Sequence, residues 1–240
     1  MDNNDLKQNS FSNVINLESH YTDFWAKRLG VHFYPPEFLV RTFLSNNCPK
    51  LIIEHDYENK NVLDLGCGDG RSMGLLSNLG MNISGTEITK EICEAVMLRM
   101  AKFGIKADIR VGRNNSLPFE DHFFDYVVAS ASVYYVDAGT TFEDNLLEIQ
   151  RVLKPGGHIV FSLVHPDSYI LNGADELLNS HFRINNDPLG LRNGYFFKVF
   201  KNHEHINEYF SKNFIDISIG HTSDDYYGLK QDLWLLVAKK

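Results

Sequence analysis

The chain has 240 residues, of which 43% are hydrophobic and 22% charged, with a formal net charge of -8. That length suits a single elaborated α/β core, and the longest apolar run, Leu233 to Ala238, is far too short to cross a bilayer. The acidic balance argues against phosphate-led binding of nucleic acid, and Cys48, Cys67 and Cys93 stand at spacings that fit neither a disulfide framework nor a structural zinc site.

The opening Met1-Asp2-Asn3-Asn4-Asp5 has neither the basic start nor the apolar stretch of a signal peptide, so a cytoplasmic location is expected. Residues 1 to about 20 are polar and Asn-rich and are expected to form a mobile arm or lid. From Tyr21 to Leu44 aromatic side chains surround Pro35-Pro36, which predicts two short helices. Residues 1–50 are thus expected to cover a site built by residues 51–164.

Strand-like and helix-like patterns then alternate: strand 61–65, helix 71–79, strand 82–87 and helix 89–103. The second of these helices carries Ile92, Val96, Met100 and Phe103 on one face, with Thr89 as N-cap and Gly104 as its stop. Strands follow near 106–111 and 125–130, then a helix over 141–153 opened by a capping box of Thr140 with Glu143, then a strand over 158–164. Repeated βα units predict a parallel sheet covered on both faces. Residues 165–202 break the rhythm with Asn-Gly and Asn-Asp-Pro turn signals and read as an insertion. Residues 203–240 return to the core with a helix near 204–211 and strands near 214–220 and 232–239, whose short connection predicts a final antiparallel strand.

The strongest chemical signal is Val62-Leu63-Asp64-Leu65-Gly66-Cys67-Gly68-Asp69-Gly70-Arg71, an apolar strand running into closely spaced glycines and then a helix. Such a turn lets a ligand approach the backbone, and the helix start offers amide donors. The spacing is G-x-G-x-G, with Arg71 where the dinucleotide fingerprint needs its third glycine. Asp64 beside the turn would repel a pyrophosphate and suit an ammonium. Glu87, about 20 residues on at a strand end, is placed to accept both hydroxyls of an unphosphorylated ribose. An adenosine-type ligand follows.

Together with Thr86-Glu87-Ile88, Leu117-Pro118-Phe119 ahead of Phe124-Asp125, and Leu153-Lys154-Pro155-Gly156-Gly157, this turn resembles the ordered motif set of class I S-adenosylmethionine-dependent methyltransferases over roughly residues 60–164. The resemblance implies a Rossmann-like α/β fold with a seven-stranded, mostly parallel sheet and helices on both faces. It places the donor's methionine end over Gly66, Cys67, Gly68 and Gly70, its ribose on Glu87 beside Ile88, and adenine near the loop after the third strand, with Ser130 also toward the donor. Arg113 stands where the family often has Asp, so Asn114 or Asn115 is left to receive the adenine amino group.

Active sites in open α/β sheets lie beyond the carboxyl ends of the strands. That picks out Ser130, Ser132, Tyr134, Tyr135 and Asp137 after the fourth strand and His165 and Asp167 after the fifth. His165 is the candidate general base, and Tyr134 a candidate for orienting substrate. Tyr21, Trp25 and Arg28 share one helical face and form a candidate lid over the donor. His203 and His205 fall at a helix start, where their spacing does not suit a metal, and no metal site is expected.

The expected activity is methyl transfer from S-adenosylmethionine to oxygen or nitrogen of a small polar metabolite, leaving S-adenosylhomocysteine. The partner is then a small-molecule acceptor, with no nucleic acid or membrane, and the protein a monomer or homodimer. Rival readings are methylation of protein or RNA, a nicotinamide-dependent oxidoreductase, and a non-catalytic donor-binding protein of the same fold.

Overall fold

The structure is a computed structural model that describes residues 18–26 and 34–240. Arg28 and most of the opening arm lie outside the described residues. Residues 18–26 form helix α1, and α2 (Glu37–Leu44) follows Pro35-Pro36, so the two expected short helices are present. Proline suits the helix entry because its missing N–H would have no partner there. Phe38, Leu39 and Phe43 turn the inner face of α2 into the core.

The core alternates β1 (Asn61–Leu65), α3 (Met73–Asn78), β2 (Asn82–Glu87), α4 (Lys90–Lys102), β3 (Ala107–Val111), β4 (Phe124–Ala129), β5 (Tyr135–Val136), α5 (Phe142–Val152) and β6 (Leu153–Val164). Then come β7 (Asp175–Glu176), β8 (His181–Arg183), β9 (Phe196–Lys198), α6 (His203–Phe210), β10 (Ile215–Tyr226) and β11 (Leu229–Lys239). Seven strands form the main sheet in the order β10-β11-β6-β4-β1-β2-β3. β1, β2, β3, β4 and β6 pair in parallel, while β11 runs antiparallel to both β6 and β10. The βα alternation thus yields the expected parallel sheet, and the seven-stranded, Rossmann-like α/β fold is the one the motif resemblance implies.

Central strands are buried on both faces, which is why Val62 to Leu65 and Tyr126 to Ala129 read as unbroken apolar runs interrupted only by Asp64. One face packs Leu63, Val127, Phe161 and Leu236 with α5 and α6; the other packs Val62, Val128 and Val160 with Ile92, Val96 and Met100 of α4. Thr89 caps α4 as expected, its side chain accepting from the Ile92 N–H.

The capping box of α5 is shifted by one residue from expectation. Thr141 and Asp144 form it, because Thr140 is spent in the preceding turn, where its hydroxyl donates to Asp137 O at 2.9 Å. The insertion also carries more structure than its turn signals suggest. β7, β8 and β9 join β5 in a four-stranded sheet, over which Tyr134, Ile170, Ile184 and Phe197 make a third apolar cluster. The hairpin of β10 and β11 reaches to Tyr226 and Leu229, well past the strand limits that alternation predicts, through the polar stretch Thr222 to Asp225. No described helix is long and apolar enough to cross a membrane.

Candidate active site

The parallel strands end on a solvent-open cavity, lined just after β1 by Gly66, at the end of β2 by Thr86, Glu87 and Ile88, and after β3 by Gly112, Arg113 and Asn114. Ser132 from the loop after β4, Tyr135 of β5 and Asp137 just after it close the cavity, with Tyr195 from the insertion and Tyr21 from α1.

At the end of β1 the chain turns through Gly66 and Gly68 with φ of 61° and 59°, a left-handed conformation that side chains with a Cβ resist. Space is also restricted: a Cβ on Gly66 would lie 2.7 Å from Cβ of Ser132, whose hydroxyl donates to Leu65 O. The turn is tied to β2 by Glu87, whose Oε1 accepts from the Gly68 N–H at 2.8 Å and Oε2 from the Ile88 N–H at 3.0 Å. Each carboxylate oxygen keeps a second lone pair. Burial raises the Glu87 carboxyl to about 7, although the two amide donors work the other way.

Asp64 is buried in the same place, and burial, opposed by Arg71 and reinforced by Glu87 and Asp69, raises it to about 7. Its Oδ2 has no hydrogen-bond partner among the described residues. Asp69 serves the scaffold instead, pairing at 3.2 Å with buried Arg99 of α4.

Across the cavity, Asn114 donates through Nδ2 to Ser132 O at 2.9 Å and Tyr135 O at 3.1 Å, pinning the loop after β4. Its Oδ1 is left as the acceptor. Asn115 sits in the turn closed by main-chain bonds between Arg113 and Ser116. Arg113, at the position that departs from the motif pattern, pairs with Asp137 at 3.1 Å and with Glu18 of α1. α1 lies across the opening: the ring of Trp25 is 3.0 Å from where a Cβ on Gly68 would be, and Thr22 donates to Thr89 at 3.2 Å. Tyr195 joins the cover, with ring centroids 6.1 Å from Tyr21 and 5.5 Å from Tyr135, and its buried Oη has no hydrogen-bond partner among the described residues.

The structure therefore brings together Tyr21, Gly66, Glu87, Ile88 and Asn114 in the cavity wall, with Trp25 over Gly68. Other expected residues face elsewhere. Gly70 allows close helix packing, since a Cβ there would meet Met100 at 2.7 Å and Val96 at 3.1 Å. Cys67 holds the turn through its main-chain N–H to Thr86 O, and its buried sulfur points at Gly85 on β2. Ser130 is absent from the wall and Ser132 takes that position. Tyr134 stacks on Tyr135 and packs edge-on to Phe197 inside the third cluster, so Tyr135 is the tyrosine that reaches the cavity.

His165 also lies away from the cavity, its ring 4.3 Å from Trp234 and 4.6 Å from His221. The neighbouring strand β11 supplies that surface, which position after a strand does not reveal. Thr86 belongs to the motif Thr86-Glu87-Ile88 and Gly112 adjoins Arg113, but Tyr195 has no such signal, because a turn within an irregular insertion delivers it.

Residues 63–161 match the methyltransferase-domain family. The chain is similar to the sterol 4-C-methyltransferase of Caenorhabditis elegans, with 34% identity over 183 residues, 70% of this chain and 53% of that protein. It is also similar to the malonyl-[acyl-carrier protein] O-methyltransferase of Buchnera aphidicola, with 30% identity over 53% of this chain and 49% of that one. The chain spans about half the length of these two relatives. Among solved structures, a methyltransferase of Methanosarcina mazei superposes with a TM-score of 0.62 at 19% identity, over 88% of this chain and 99% of that one. The 1,6-didemethyltoxoflavin N1-methyltransferase of Burkholderia thailandensis, solved with S-adenosylhomocysteine, superposes with a TM-score of 0.56 at 13% identity, over 76% and 72% of the two chains.

Proposed function

We propose that the chain, whose residues 63–161 match the methyltransferase-domain family, is a class I S-adenosylmethionine-dependent methyltransferase that methylates oxygen or nitrogen of a small polar metabolite. The observation that carries this reading is Glu87, a buried carboxylate that tethers the glycine turn while facing the cavity with unused lone pairs. The residues present fit the donor. Asp64 holds a buried oxygen with no donor, suited to an ammonium, and Tyr195 a buried hydroxyl with no partner, suited to a polar ligand atom.

Bound S-adenosylmethionine supplies a methyl group activated by the positive charge on sulfur. Glu87 would accept the ribose hydroxyls, Ile88 and the Asn114 oxygen would meet adenine, and the turn at Gly66 to Gly68 would carry the amino-acid end. Tyr21 and Trp25 exclude water above it, and their aromatic faces favour a nearby cation. Burial raises the phenols of Tyr21 and Tyr135 well above their ordinary value, so near neutral pH they donate hydrogen bonds and do not act as bases. Orientation of the acceptor and water exclusion then supply much of the rate, with the insertion 165–202 shaping the acceptor side.

An apolar acceptor is the second reading. It is favoured by a neighbouring groove that shares Asp137 with the cavity and is walled by Val136, Leu177, Leu178 and Phe196. Calorimetry with S-adenosylhomocysteine tests donor recognition: saturable one-to-one binding is expected, and no heat of association overturns the reading. Transfer of a labelled methyl group across a panel of polar metabolites and apolar alcohols then separates the two acceptor classes.

A further inference from the structure

We propose that His165, His221 and Asp232 form a binding site for one divalent transition-metal ion, distinct from the donor cavity. One ligand atom from each lies within 4.8 Å of the others. Three strands assemble the set although its members are far apart in the chain. His165 follows the last residue of β6, where its N–H donates to Asp232 O at 3.2 Å. On the β10–β11 hairpin, Ser223 pairs with Asp232 and His221 with Trp234, so the side chains of His221 and Asp232 share one face as diagonal neighbours. Trp234 packs against both imidazoles, with ring centroids 4.3 Å from His165 and 5.4 Å from His221.

The independent sign of a ligand is Asp232. Its side chain is 1% exposed, yet Oδ1 has no hydrogen-bond partner among the described residues; the ring nitrogen Nε2 of His221 stands 3.9 Å away, beyond bonding reach. Lys230 occupies the other oxygen at 2.8 Å and leaves Oδ1 to the cluster. A buried carboxylate oxygen without a donor is costly unless something cationic completes it.

The Nδ1 of His165 accepts the Asp167 N–H at 3.1 Å, a hydrogen bond that coordination of the ion replaces.

Two imidazoles and one carboxylate select a borderline ion such as zinc or cobalt over magnesium or calcium, which prefer all-oxygen sets. Bonds of about 2.0–2.2 Å require the set to contract by roughly an ångström. His221, 40% exposed, has the freedom to move. The remaining position falls to water or to Asp167, whose carboxylate is 3.9 Å from Nδ1 of His165. The ion would fasten the C-terminal hairpin to the end of β6.

The test uses the full chain after chelation, titrated with zinc by calorimetry and with cobalt by visible absorption and Trp234 fluorescence. One equivalent of zinc is expected, with cobalt absorption bands, quenched fluorescence and a higher unfolding temperature. His221→Gln, at a half-exposed position, should leave the metal-free unfolding temperature unchanged and weaken binding by about tenfold or more; Asp232→Asn should do the same to affinity. No binding, or full affinity in a folded His221→Gln protein, overturns the proposal. S-adenosylhomocysteine binding measured on the same samples reports separately on the donor cavity.

Discussion

Asp64 and Glu87 give the cavity its pH dependence. Burial raises both carboxyls to about 7, whereas in the unfolded chain they ionise near their ordinary values of about 4. Between those limits the folded protein holds more protons than the unfolded one, so ligand-free stability falls as pH rises from about 4 to about 7 and then levels. A cationic donor prefers the ionised pair, and calorimetry should show S-adenosylmethionine binding tightening from about pH 6 to about pH 8. Glu87→Gln should flatten part of that slope and weaken binding by about 1–3 kcal/mol; a slope and affinity identical to the wild type would remove Glu87 from the site. Gly68→Ala should be similarly damaging. It strains a residue at φ 59° and brings a methyl 3.0 Å from the Trp25 ring, so lost affinity with a lowered unfolding temperature is expected. These residues were legible because a strand, a turn and an acidic strand end follow one another at short spacing. Tyr195 was not, since only the folded insertion carries it to the wall.

Helix α1 is held over the cavity by Arg113, which bridges Glu18 on the helix and Asp137 just after β5. All three side chains are about one-third exposed, so the ion pairs contribute little to global stability, on the order of 1 kcal/mol or less. Their effect should appear in ligand kinetics instead. Arg113→Ala is expected to unfold near the wild-type temperature while releasing S-adenosylhomocysteine several-fold faster, as followed by stopped-flow fluorescence, and high salt should shift the wild type toward the variant. Unchanged release would show that α1 stays closed through Tyr21, Trp25 and Thr22 alone. The motif pattern flagged Arg113 as a departure, but its role depends on Glu18, nearly a hundred residues earlier. The same limit applies to α5: the sequence offers two overlapping threonine–acid pairs, and the turn bond made by Thr140 decides for Thr141. It applies again to β7, β8 and β9, which are too short to show periodicity and exist by pairing with one another and β5.

At the scale of the molecule, alternating βα units and a closing hairpin were enough to anticipate the parallel sheet and its one antiparallel strand, because sequential units add neighbouring strands with a fixed hand. The environment of His165 was not legible. Position after β6 gives the sheet edge but not that β11 lies beside it, and this neighbour turns the ring toward Trp234 and His221 instead of the cavity. That arrangement separates two ligand effects on stability. Donor binding acts on the turn, β2 and α1, and at about 100 times its dissociation constant S-adenosylhomocysteine should add about 2.7 kcal/mol, raising the unfolding temperature of a domain this size by roughly 5–10 °C. Metal binding acts on β6, β10 and β11, more than one strand away in the sheet order. Sites with no shared partners add their effects. Thermal scans with donor product alone, zinc alone and both should therefore give increments that sum, whereas a combined increment well above or below the sum would mean that the hairpin and the cavity move together.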